Sequence, residues 1–271
     1  MKLEIDKYCE TLQDAGFKTR IGASLIGDPC DRKIWLGFRW AAKRQFDGRM
    51  IRLFERGELE EARFIRWLEG IGCEVQARGA DGKQFAVECA SGHGGSRMDG
   101  VVFLPESWGV TEPLLFEGKT NGTGAGFTKI CDEGFDKASA KHWAQACMVG
   151  FLAGINYALY VITNKNDDSL DVQIKALDLK LGAEMVAKTE RIKDATEAPP
   201  RMHGARSKAF LACKMCDKKS VCWEDEQIEK NCRSCKFGIP CNEGIWQCAE
   251  HGGPIAKHVI PIGCDKYAAI Y

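Results

Sequence analysis

The chain has 271 residues, 45% of them hydrophobic and 28% charged, a composition typical of a soluble globular protein. Its 38 basic and 38 acidic residues balance, so any binding of nucleic acid has to come from local clusters of charge. No apolar run approaches the roughly 20 residues of a membrane-spanning helix, and the opening residues MKLEIDKYCE are too acidic for a signal peptide. We therefore expect a cytoplasmic protein with no membrane partner.

Hydrophobic periodicity and turn residues predict an α/β core in the first part of the chain. Residues 49–71 have the period of one long amphipathic helix, and Asp81-Gly82 is typical of a hairpin turn. The other predicted elements, in chain order, are two short helices within residues 1–48, short strands between 73 and 119, a helix over 137–154, strands over 157–163 and 169–177, and a helix over 178–198. This order predicts a mixed central sheet flanked by helices.

The composition changes at Pro199-Pro200, where the last predicted helix ends. Seven of the 14 cysteines lie between Cys213 and Cys248, at short spacings that indicate metal binding and not a disulfide framework. We therefore expect three parts: a core over residues 1–200, a cysteine segment over 201–226 and a small metal-binding extension over 227–271.

Two acidic residues, Glu58 and Glu61, interrupt the apolar face of the long helix at 100° per residue. The apolar residues that share this face are Met50, Phe54, Ile65 and Leu68. Carboxylates on an apolar face are costly unless a cation or hydrogen-bond donors meet them, which favours a functional role. The alternative is that this stretch of the helix faces solvent.

Two strand segments carry further charged residues that we expect in one neighbourhood. In SRMDGVVFL, a period of two places Asp99 on one face of its strand with apolar residues. In LLFEGKTNG, Glu117 and Lys119 point the same way. The alternatives are a turn aspartate before Gly100 and an exposed edge strand with a solvated ion pair.

Converging carboxylates repel one another, and Mg²⁺ or Mn²⁺ relieves that repulsion by taking oxygen ligands. A lysine beside such an ion orients or deprotonates a water and stabilises charge on a phosphate. We therefore interpret Glu58, Glu61, Asp99 and Glu117 as a divalent-cation site. In this interpretation Lys119 positions the water that attacks a phosphodiester.

The order of these segments resembles a known superfamily. RMDGVV followed by LLFEGKTNG is similar to the D…ExK signature of the PD-(D/E)XK nucleases, and more narrowly to their RecB-like branch. RGELEEARF resembles the helix motif of that branch, with Glu61 at its acidic position. KHWAQACMVGFLAGINYALYVITNK resembles its glutamine motif with Gln145 as the glutamine, and SGHGGSRMDGVV resembles phage-encoded members. The resemblance covers roughly residues 20–255 and implies the nuclease core fold, DNA as substrate and a substrate contact by Gln145.

Two positions depart from the pattern of that branch. Glu58 stands where the branch has a histidine; a glutamate still binds Mg²⁺ or Mn²⁺ but supplies no imidazole. Val149 stands where the branch has a tyrosine associated with substrate contact. These departures support the alternative of a nuclease-like DNA-binding module without activity.

CKMCDKKSVC supplies three thiolates, Cys213, Cys216 and Cys222, whereas a tetrahedral site takes four ligands. Cys30, in GDPCDRKIW, is the natural fourth ligand. One cysteine before the core and three after it resemble the arrangement in AddB-type nuclease domains and CRISPR-associated RecB-like nucleases, which implies a [4Fe–4S] cluster. Zinc is the alternative, since ligand spacing does not separate the two metals.

CRSCKFGIPCNEGIWQCAEHG contains a second group of ligands. Cys232-x2-Cys235 and Cys248-x2-His251, separated by twelve residues, form a Cys₃His pattern typical of structural zinc. Cys241 is either a spare thiol or the fourth ligand in place of His251.

Two basic stretches are candidates for contact with DNA. Residues 28–52 contain seven Lys or Arg against three Asp, and residues 201–219 contain six against one. Aromatic residues within the first stretch offer stacking surfaces for unpaired bases, worth roughly 1–3 kcal/mol each. The DNA contacts that we single out are Arg32, Lys33, Arg44, Arg206 and Lys208. Ordinary solvated surface is the alternative.

The combined prediction is an Mg²⁺- or Mn²⁺-dependent deoxyribonuclease, acting as an exonuclease on single-stranded or frayed ends. The resemblance suggests recombination, repair or phage DNA processing in a bacterial or phage-infected cell. No G-x4-G-K-[ST] motif occurs, so a helicase or recombination partner would be a separate chain; a homo-oligomer is compatible with the sequence. A zinc-ribbon interaction protein and a redox sensor are the remaining alternatives.

Overall fold

The computed structural model describes residues 1–12, 18–43, 45–122, 124–202, 210–224 and 226–270. The helices are α1 (Lys2–Thr11), α2 (Ala23–Ile26), α3 (Asp31–Phe38), α4 (Gly48–Gly70), α5 (Gly124–Glu133), α6 (Phe135–Ala138), α7 (Ala140–Ala153), α8 (Leu179–Asp194), α9 (Leu211–Lys214) and α10 (Lys219–Trp223). The strands are β1 (Ile21–Gly22), β2 (Glu74–Gln76), β3 (Ala86–Cys89), β4 (Gly94–Arg97), β5 (Gly100–Phe103), β6 (Leu114–Asn121), β7 (Tyr157–Asn164), β8 (Leu170–Ala176), β9 (Gly238–Pro240), β10 (Trp246–Cys248) and β11 (Gly253–Pro254).

The chain divides into two compact units, each built from several segments. The first unit contains Met1–Gln13, Phe46–Val87 and Ser96–Val186, and the second contains Asp14–Gln45, Glu88–Gly95 and Ala187–Tyr271. The chain passes between these units several times. The division into parts over 1–200, 201–226 and 227–271 stays a prediction.

The first unit is built around a five-stranded sheet of order β2-β5-β6-β7-β8. β6 pairs in parallel with β7, with Glu117 opposite Tyr160, and the other neighbouring strands pair antiparallel. Helices α4 and α7 both contact β6. The predicted mixed sheet flanked by helices is confirmed.

The core of this unit lies between α4 and the sheet. Asp47 begins the helix by accepting a hydrogen bond from the Met50 amide at 2.8 Å, as expected of an N-cap residue. The buried residues of this core are Phe64, Leu68, Cys73, Val102, Leu114, Phe116, Leu159 and Val161. Burial of each large apolar side chain contributes roughly 1.5–3 kcal/mol, so this layer fixes α4 on the sheet.

The alternation along β6 explains why a glycine separates Glu117 from Lys119. Leu114, Phe116 and Gly118 occupy the face that packs on α4. A Cβ atom at Gly118 would lie 2.9 Å from Cδ2 of Phe64, closer than ordinary packing allows. The absence of a side chain therefore lets α4 approach the strand between the two charged residues.

Two predicted features differ from the structure of this unit. Phe54, assigned to the buried face of the long helix, is 42% exposed, because close packing of α4 on the sheet involves Phe64 and Leu68 further along the helix. The segment RMDGVVFL is not one strand, since β4 ends at Arg97 and β5 begins at Gly100. Helices α5 and α6 were not predicted, because glycines obscured the helical period there.

The second unit has short elements and an aromatic core. β1 pairs in parallel with β4, and β9, β10 and β11 form a small antiparallel sheet. Trp35 is fully buried on α3 and donates from its indole nitrogen to the Ala195 carbonyl at 2.9 Å. Trp35 and Phe38 thus belong to the core of this unit and are not exposed surfaces on which bases could stack.

Within the residues covered by the structure, no helix combines the length and apolar character needed to cross a membrane.

Candidate functional site

Three charged side chains of the first unit meet where β5 begins beside β6. Lys119 Nζ lies 3.5 Å from Asp99 Oδ2 and forms an ion pair with Glu117 Oε2. The Asp99 carboxylate also accepts a hydrogen bond from the Gly118 backbone amide at 3.0 Å. Asp99 therefore adopts the position of a turn residue and still faces the site, so the two interpretations of this residue are compatible.

The electrostatics of this group are those of a buried, crowded site. Glu117 is 4% exposed, and burial raises the pKa of its carboxyl group; Lys119 opposes this change and Asp99 adds to it. Burial disfavours the charge on Lys119, yet the neighbouring Glu117 and Asp99 raise the pKa of its ammonium group. Lys119 is therefore a cation at neutral pH, shared by two carboxylates.

Gln145 on α7 fixes the orientation of the buried carboxylate. Its Nε2 donates a hydrogen bond to Glu117 Oε1 at 2.7 Å, while Glu117 Oε2 faces Lys119. Both oxygens of Glu117 therefore have partners, which is required of a carboxylate buried this deeply.

Glu61 on α4 belongs to the same electrostatic neighbourhood. Burial and the charge of Asp99 raise the pKa of Glu61, and its Oε1 accepts a hydrogen bond from Gln84 Nε2 at 3.0 Å. Glu58, one turn earlier, is exposed, and within the described part of the chain it has no side-chain hydrogen bond or ion pair. The structure thus brings Glu61, Asp99, Glu117, Lys119 and Gln145 together and leaves Glu58 at the surface.

The carboxylates have the oxygen donors that Mg²⁺ and Mn²⁺ take in proteins. Among the described side chains, however, no three His, Cys, Asp or Glu groups are arranged to hold a metal ion. The positive charge between Asp99 and Glu117 is the Lys119 ammonium. The donor chemistry fits a divalent cation, and binding requires the carboxylates to turn towards a common point.

Two residues that the sequence analysis missed extend the site. His142 Nδ1 lies 2.9 Å from the Tyr160 hydroxyl oxygen, and Tyr160 faces Glu117 in the register of β6 and β7. Burial, and secondarily Lys119, lowers the pKa of His142 to about 4, so its ring is neutral at neutral pH. A signal was available, because His142 precedes Gln145 by three residues and shares its helical face.

The first group of cysteines lines one small cavity of the second unit. Cys30, Cys213, Cys216 and Cys222 all border it, and the Lys218 amide donates to Cys216 Sγ at 3.4 Å. The cavity measures about 20 Å³, room for roughly one water-sized atom. The four thiols that border it are not arranged around a common point, so binding of either a single metal ion or a [4Fe–4S] cluster requires their side chains to turn towards one another.

The second group of cysteines lines a larger cavity of about 380 Å³, also in the second unit. Cys232, Cys235, Cys248 and His251 border it together with Cys264, which the sequence analysis left unassigned. Cys264 Sγ lies 3.6 Å from His251 Nε2. Burial raises the pKa of the Cys232 thiol, and the neighbouring thiols of Cys264, Cys248 and Cys235 raise it further.

Cys241, the alternative ligand, is engaged elsewhere. Its Sγ lies 3.7 Å from the Ile239 carbonyl oxygen, and its own carbonyl oxygen lies 2.8 Å from His93 Nε2. It is not among the described residues that border the cavity.

Two of the five basic residues proposed for DNA contact, Arg32 and Lys33, have partners within the second unit. Arg32 is 8% exposed and donates from Nη1 to the Pro199 carbonyl at 2.9 Å, so contact with DNA would require it to leave this position. Lys33 is partly exposed and pairs with Asp28 at 2.8 Å. Arg44, Arg206 and Lys208 lie outside the described residues.

Solved structures similar to this chain include two of an alkaline exonuclease and one of SSO0001, all at low sequence identity. The crystal structure of LHK-Exo, an alkaline exonuclease from Laribacter hongkongensis, is 16% identical, with 70% of this chain and 90% of that chain covered and a TM-score of 0.45. The structure of its complex with dAMP is 15% identical, with the same coverage of both chains and a TM-score of 0.44. The crystal structure of SSO0001 is 15% identical, with 82% of this chain and 96% of that chain covered and a TM-score of 0.44. No family model and no curated protein matches the chain.

Proposed function

We propose that the chain is a divalent-metal-dependent deoxyribonuclease of the PD-(D/E)XK superfamily, from its RecB-like branch. The observation that carries the proposal is the Lys119 ammonium held between the carboxylates of Asp99 and Glu117. Asp99 directly precedes β5, which pairs with β6, and the three residues follow the order of the D…ExK signature. An exposed edge strand with a solvated ion pair is excluded, because β6 is central in its sheet and Glu117 is buried.

The metal ligands in this proposal are Glu61, Asp99 and Glu117, with Glu58 completing the shell from the surface. A bound Mg²⁺ or Mn²⁺ ion supplies Lewis acidity towards the phosphate and a nucleophilic water. The raised pKa values of Glu61 and Glu117 support this assignment, because both carboxyl groups are held where additional positive charge stabilises their ionised forms.

The other residues of the site orient the reacting groups. Gln145 holds the Glu117 carboxylate by its hydrogen bond, and the family resemblance implies that it also contacts the substrate. Lys119 keeps its proton and offers a positive charge to the attacking water and the scissile phosphate, where developing negative charge is stabilised by preorganised donors. The substrate is DNA, attacked at single-stranded or frayed ends, in recombination, repair or phage DNA processing, with any helicase supplied by a separate chain.

The four cysteines at the small cavity form a metal site in which the bound metal cross-links segments of the second unit that are far apart in the chain. Cys30 precedes α3, while Cys213, Cys216 and Cys222 come far later in the chain, and closing so long a loop stabilises by a few kcal/mol at most, by analogy with a disulfide. Four cysteine ligands suit a single zinc ion as well as a [4Fe–4S] cluster, and the family resemblance favours the cluster. Iron and zinc counts on protein purified without oxygen decide between them.

One observation favours the second candidate function, a nuclease-like DNA-binding module without activity. Val149 is 1% exposed, so the residue in place of the family's tyrosine does not reach a substrate in this conformation. This candidate predicts DNA binding with no cleavage in Mn²⁺.

The test is digestion of end-labelled DNA in the presence of Mn²⁺ by the wild-type chain and by Asp99→Ala and Lys119→Ala. Lys129→Ala is the matched control, since Lys129 is an exposed lysine on α5 of the same unit. We expect the wild type and the control to shorten the DNA and the two site variants to leave it intact. Intact DNA with every protein, or equal cleavage by all four, contradicts the proposal.

A further inference from the structure

We infer that the larger cavity of the second unit is a zinc site with four thiolate ligands, Cys232, Cys235, Cys248 and Cys264, and that His251 is a hydrogen-bonding neighbour instead of a ligand. This assignment replaces the Cys₃His set predicted from spacing. It is independent of the nuclease proposal, whose residues all lie in the first unit.

The four thiols reach the cavity from three separate segments. Cys232 and Cys235 lie in the turn before β9, Cys248 ends β10, and Cys264 lies in the C-terminal loop. The backbone holds these segments together: the Cys232 amide donates to the Ile260 carbonyl at 2.8 Å, and Cys235 bridges antiparallel to Ala269. Loops fixed on both sides of a cavity are the usual frame of a structural zinc site.

The first two cysteines form a tight turn of the kind seen at zinc knuckles. The Gly238 amide donates to the Cys235 carbonyl at 3.0 Å, and a side chain at Gly238 would collide with the Cys232 carbonyl oxygen. In the described conformation the thiols are not yet in coordination geometry. Rotation about each Cα–Cβ bond redirects a cysteine Sγ at little cost. The backbone already places all four cysteines around the cavity.

Two buried arginines lie beside the turn that contains Cys232 and Cys235, and their positive charge favours four thiolate ligands. Arg233, between the two knuckle cysteines, is 1% exposed, and Arg39 is 3% exposed and donates to the carbonyls of Gly238 and Cys235 at 3.1 and 3.2 Å. Arg233 lies over the rings of Phe38, Trp40 and Trp246, 4.5–4.7 Å from their centroids.

Neither arginine has an acidic partner among the residues that the structure describes. Nε and Nη2 of Arg233 and Nε of Arg39 are buried without a hydrogen bond there. Uncompensated buried cations are costly, so nearby negative charge is expected. A divalent ion with four thiolates carries two net negative charges, which matches two guanidinium groups; three thiolates and a neutral histidine carry one.

The position of His251 fits a supporting role in this site. Its Nε2 lies 3.6 Å from Cys264 Sγ, a distance that suits an N–H···S hydrogen bond to a thiolate and that two ligands of one tetrahedral zinc ion also show. The charge of the two buried arginines, and not this distance, therefore favours Cys264 over His251 as the ligand. Over the described residues 227–270, regular structure is limited to three strands of two or three residues and a 3-10 helix of three residues. A metal ion would supply stability that these short elements do not.

The test on the wild-type chain is thiol alkylation of the zinc-loaded full-length protein, with and without a chelator, read by peptide mass spectrometry. We expect Cys264 to be protected together with Cys232, Cys235 and Cys248, and all four to be labelled after chelation. Cys131, an exposed thiol of the first unit, should be labelled in both cases. Labelling of Cys264 in the zinc-loaded protein as complete as that of Cys131 overturns the inference.

Zinc counts on two variants provide the second measurement. Cys264→Ser should lose one zinc ion per chain relative to the wild type, whereas His251→Ala should retain it. Loss of zinc in His251→Ala with retention in Cys264→Ser identifies the Cys₃His set and overturns the inference. If Cys264→Ser does not fold, the alkylation pattern and the zinc content of His251→Ala still distinguish four thiolate ligands from the Cys₃His set. Neither measurement depends on nuclease activity.

Discussion

The ammonium of Lys119 lies 3.5 Å from the carboxylate of Asp99 and reaches it across two strands that pair antiparallel. The same ammonium pairs with Glu117, so two acids that are far apart in the chain depend on one cation. Removal of that cation therefore has consequences for stability as well as for catalysis.

We expect Lys119→Ala to reduce DNA cleavage on the order of 10²–10⁴-fold, because in the proposed function Lys119 is the group that positions the attacking water. The metal-free variant should also lose up to about 3–5 kcal/mol of stability, since buried carboxylates lose their partner. Thermal unfolding with and without Mn²⁺ separates the two effects: the divalent ion should restore stability but not activity. Unchanged cleavage would remove Lys119 from the mechanism.

Glu61→Gln should stabilise the metal-free protein near neutral pH. Burial and Asp99 raise the pKa of Glu61, so between the ordinary and the raised value the folded state binds more protons than the unfolded state. The wild-type protein therefore loses stability as the pH rises from the ordinary towards the raised pKa of Glu61. Glu61→Gln has no group that titrates there and avoids this loss. The increase in Tm should vanish at low pH, where Glu61 is protonated in both states.

The matched control for this prediction is Glu69→Gln, an exposed glutamate on the same helix, which should change Tm little at any pH. The same pair reports on metal binding. Glu61→Gln should reduce the rise in Tm caused by Mn²⁺, and Glu69→Gln should not. Equal responses of the two variants would show that Glu61 is not a ligand.

His142→Asn should make the protein less sensitive to acid. The pKa of His142 is about 4 when folded against an ordinary value of 6.5, so the unfolded state binds more protons between these values. Each unit of difference corresponds to about 1.4 kcal/mol, and wild-type stability should fall as pH drops from 6.5 towards 4. Chemical denaturation at several pH values measures this slope, which should flatten in His142→Asn and stay unchanged in the exposed control His258→Asn.

Gly118→Ala should destabilise the fold by roughly 1–3 kcal/mol and impair cleavage, because the new methyl group collides with Phe64 and displaces the strand between Glu117 and Lys119. Gly122→Ala, four residues later, meets no atom within 4 Å and is the control. Denaturant titration of both variants gives the comparison. Similar, small effects in the two would mean that α4 does not pack tightly on this glycine.

The sequence predicted the sheet and the charged group on it because both depend on local patterns. A period of two along LLFEGKTNG places Glu117 and Lys119 on one face of their strand. A helix between β6 and β7 in the chain is the usual connection between parallel strands and accounts for the mixed sheet. Glu61 was identifiable because a carboxylate on an otherwise apolar face is conspicuous.

The parts that the sequence did not reveal depend on contacts between distant segments. Tyr160 reaches His142 only because β7 pairs with β6 and α7 covers both, and Cys264 joins Cys232 through a loop without repeated spacing. Arg39 and Arg233 are buried against the ring of Trp246, and this burial has no local signature in the sequence. Helix α5 was missed since its glycines weaken the helical period.

The central claim is that Asp99 and Glu117 jointly bind a divalent cation, and titration calorimetry of Mn²⁺ into the purified chain tests it most directly. The account predicts measurable binding by the wild type, strong loss in both Asp99→Asn and Glu117→Gln, and binding equal to the wild type in Glu69→Gln. An unchanged Kd in Asp99→Asn and Glu117→Gln would contradict it.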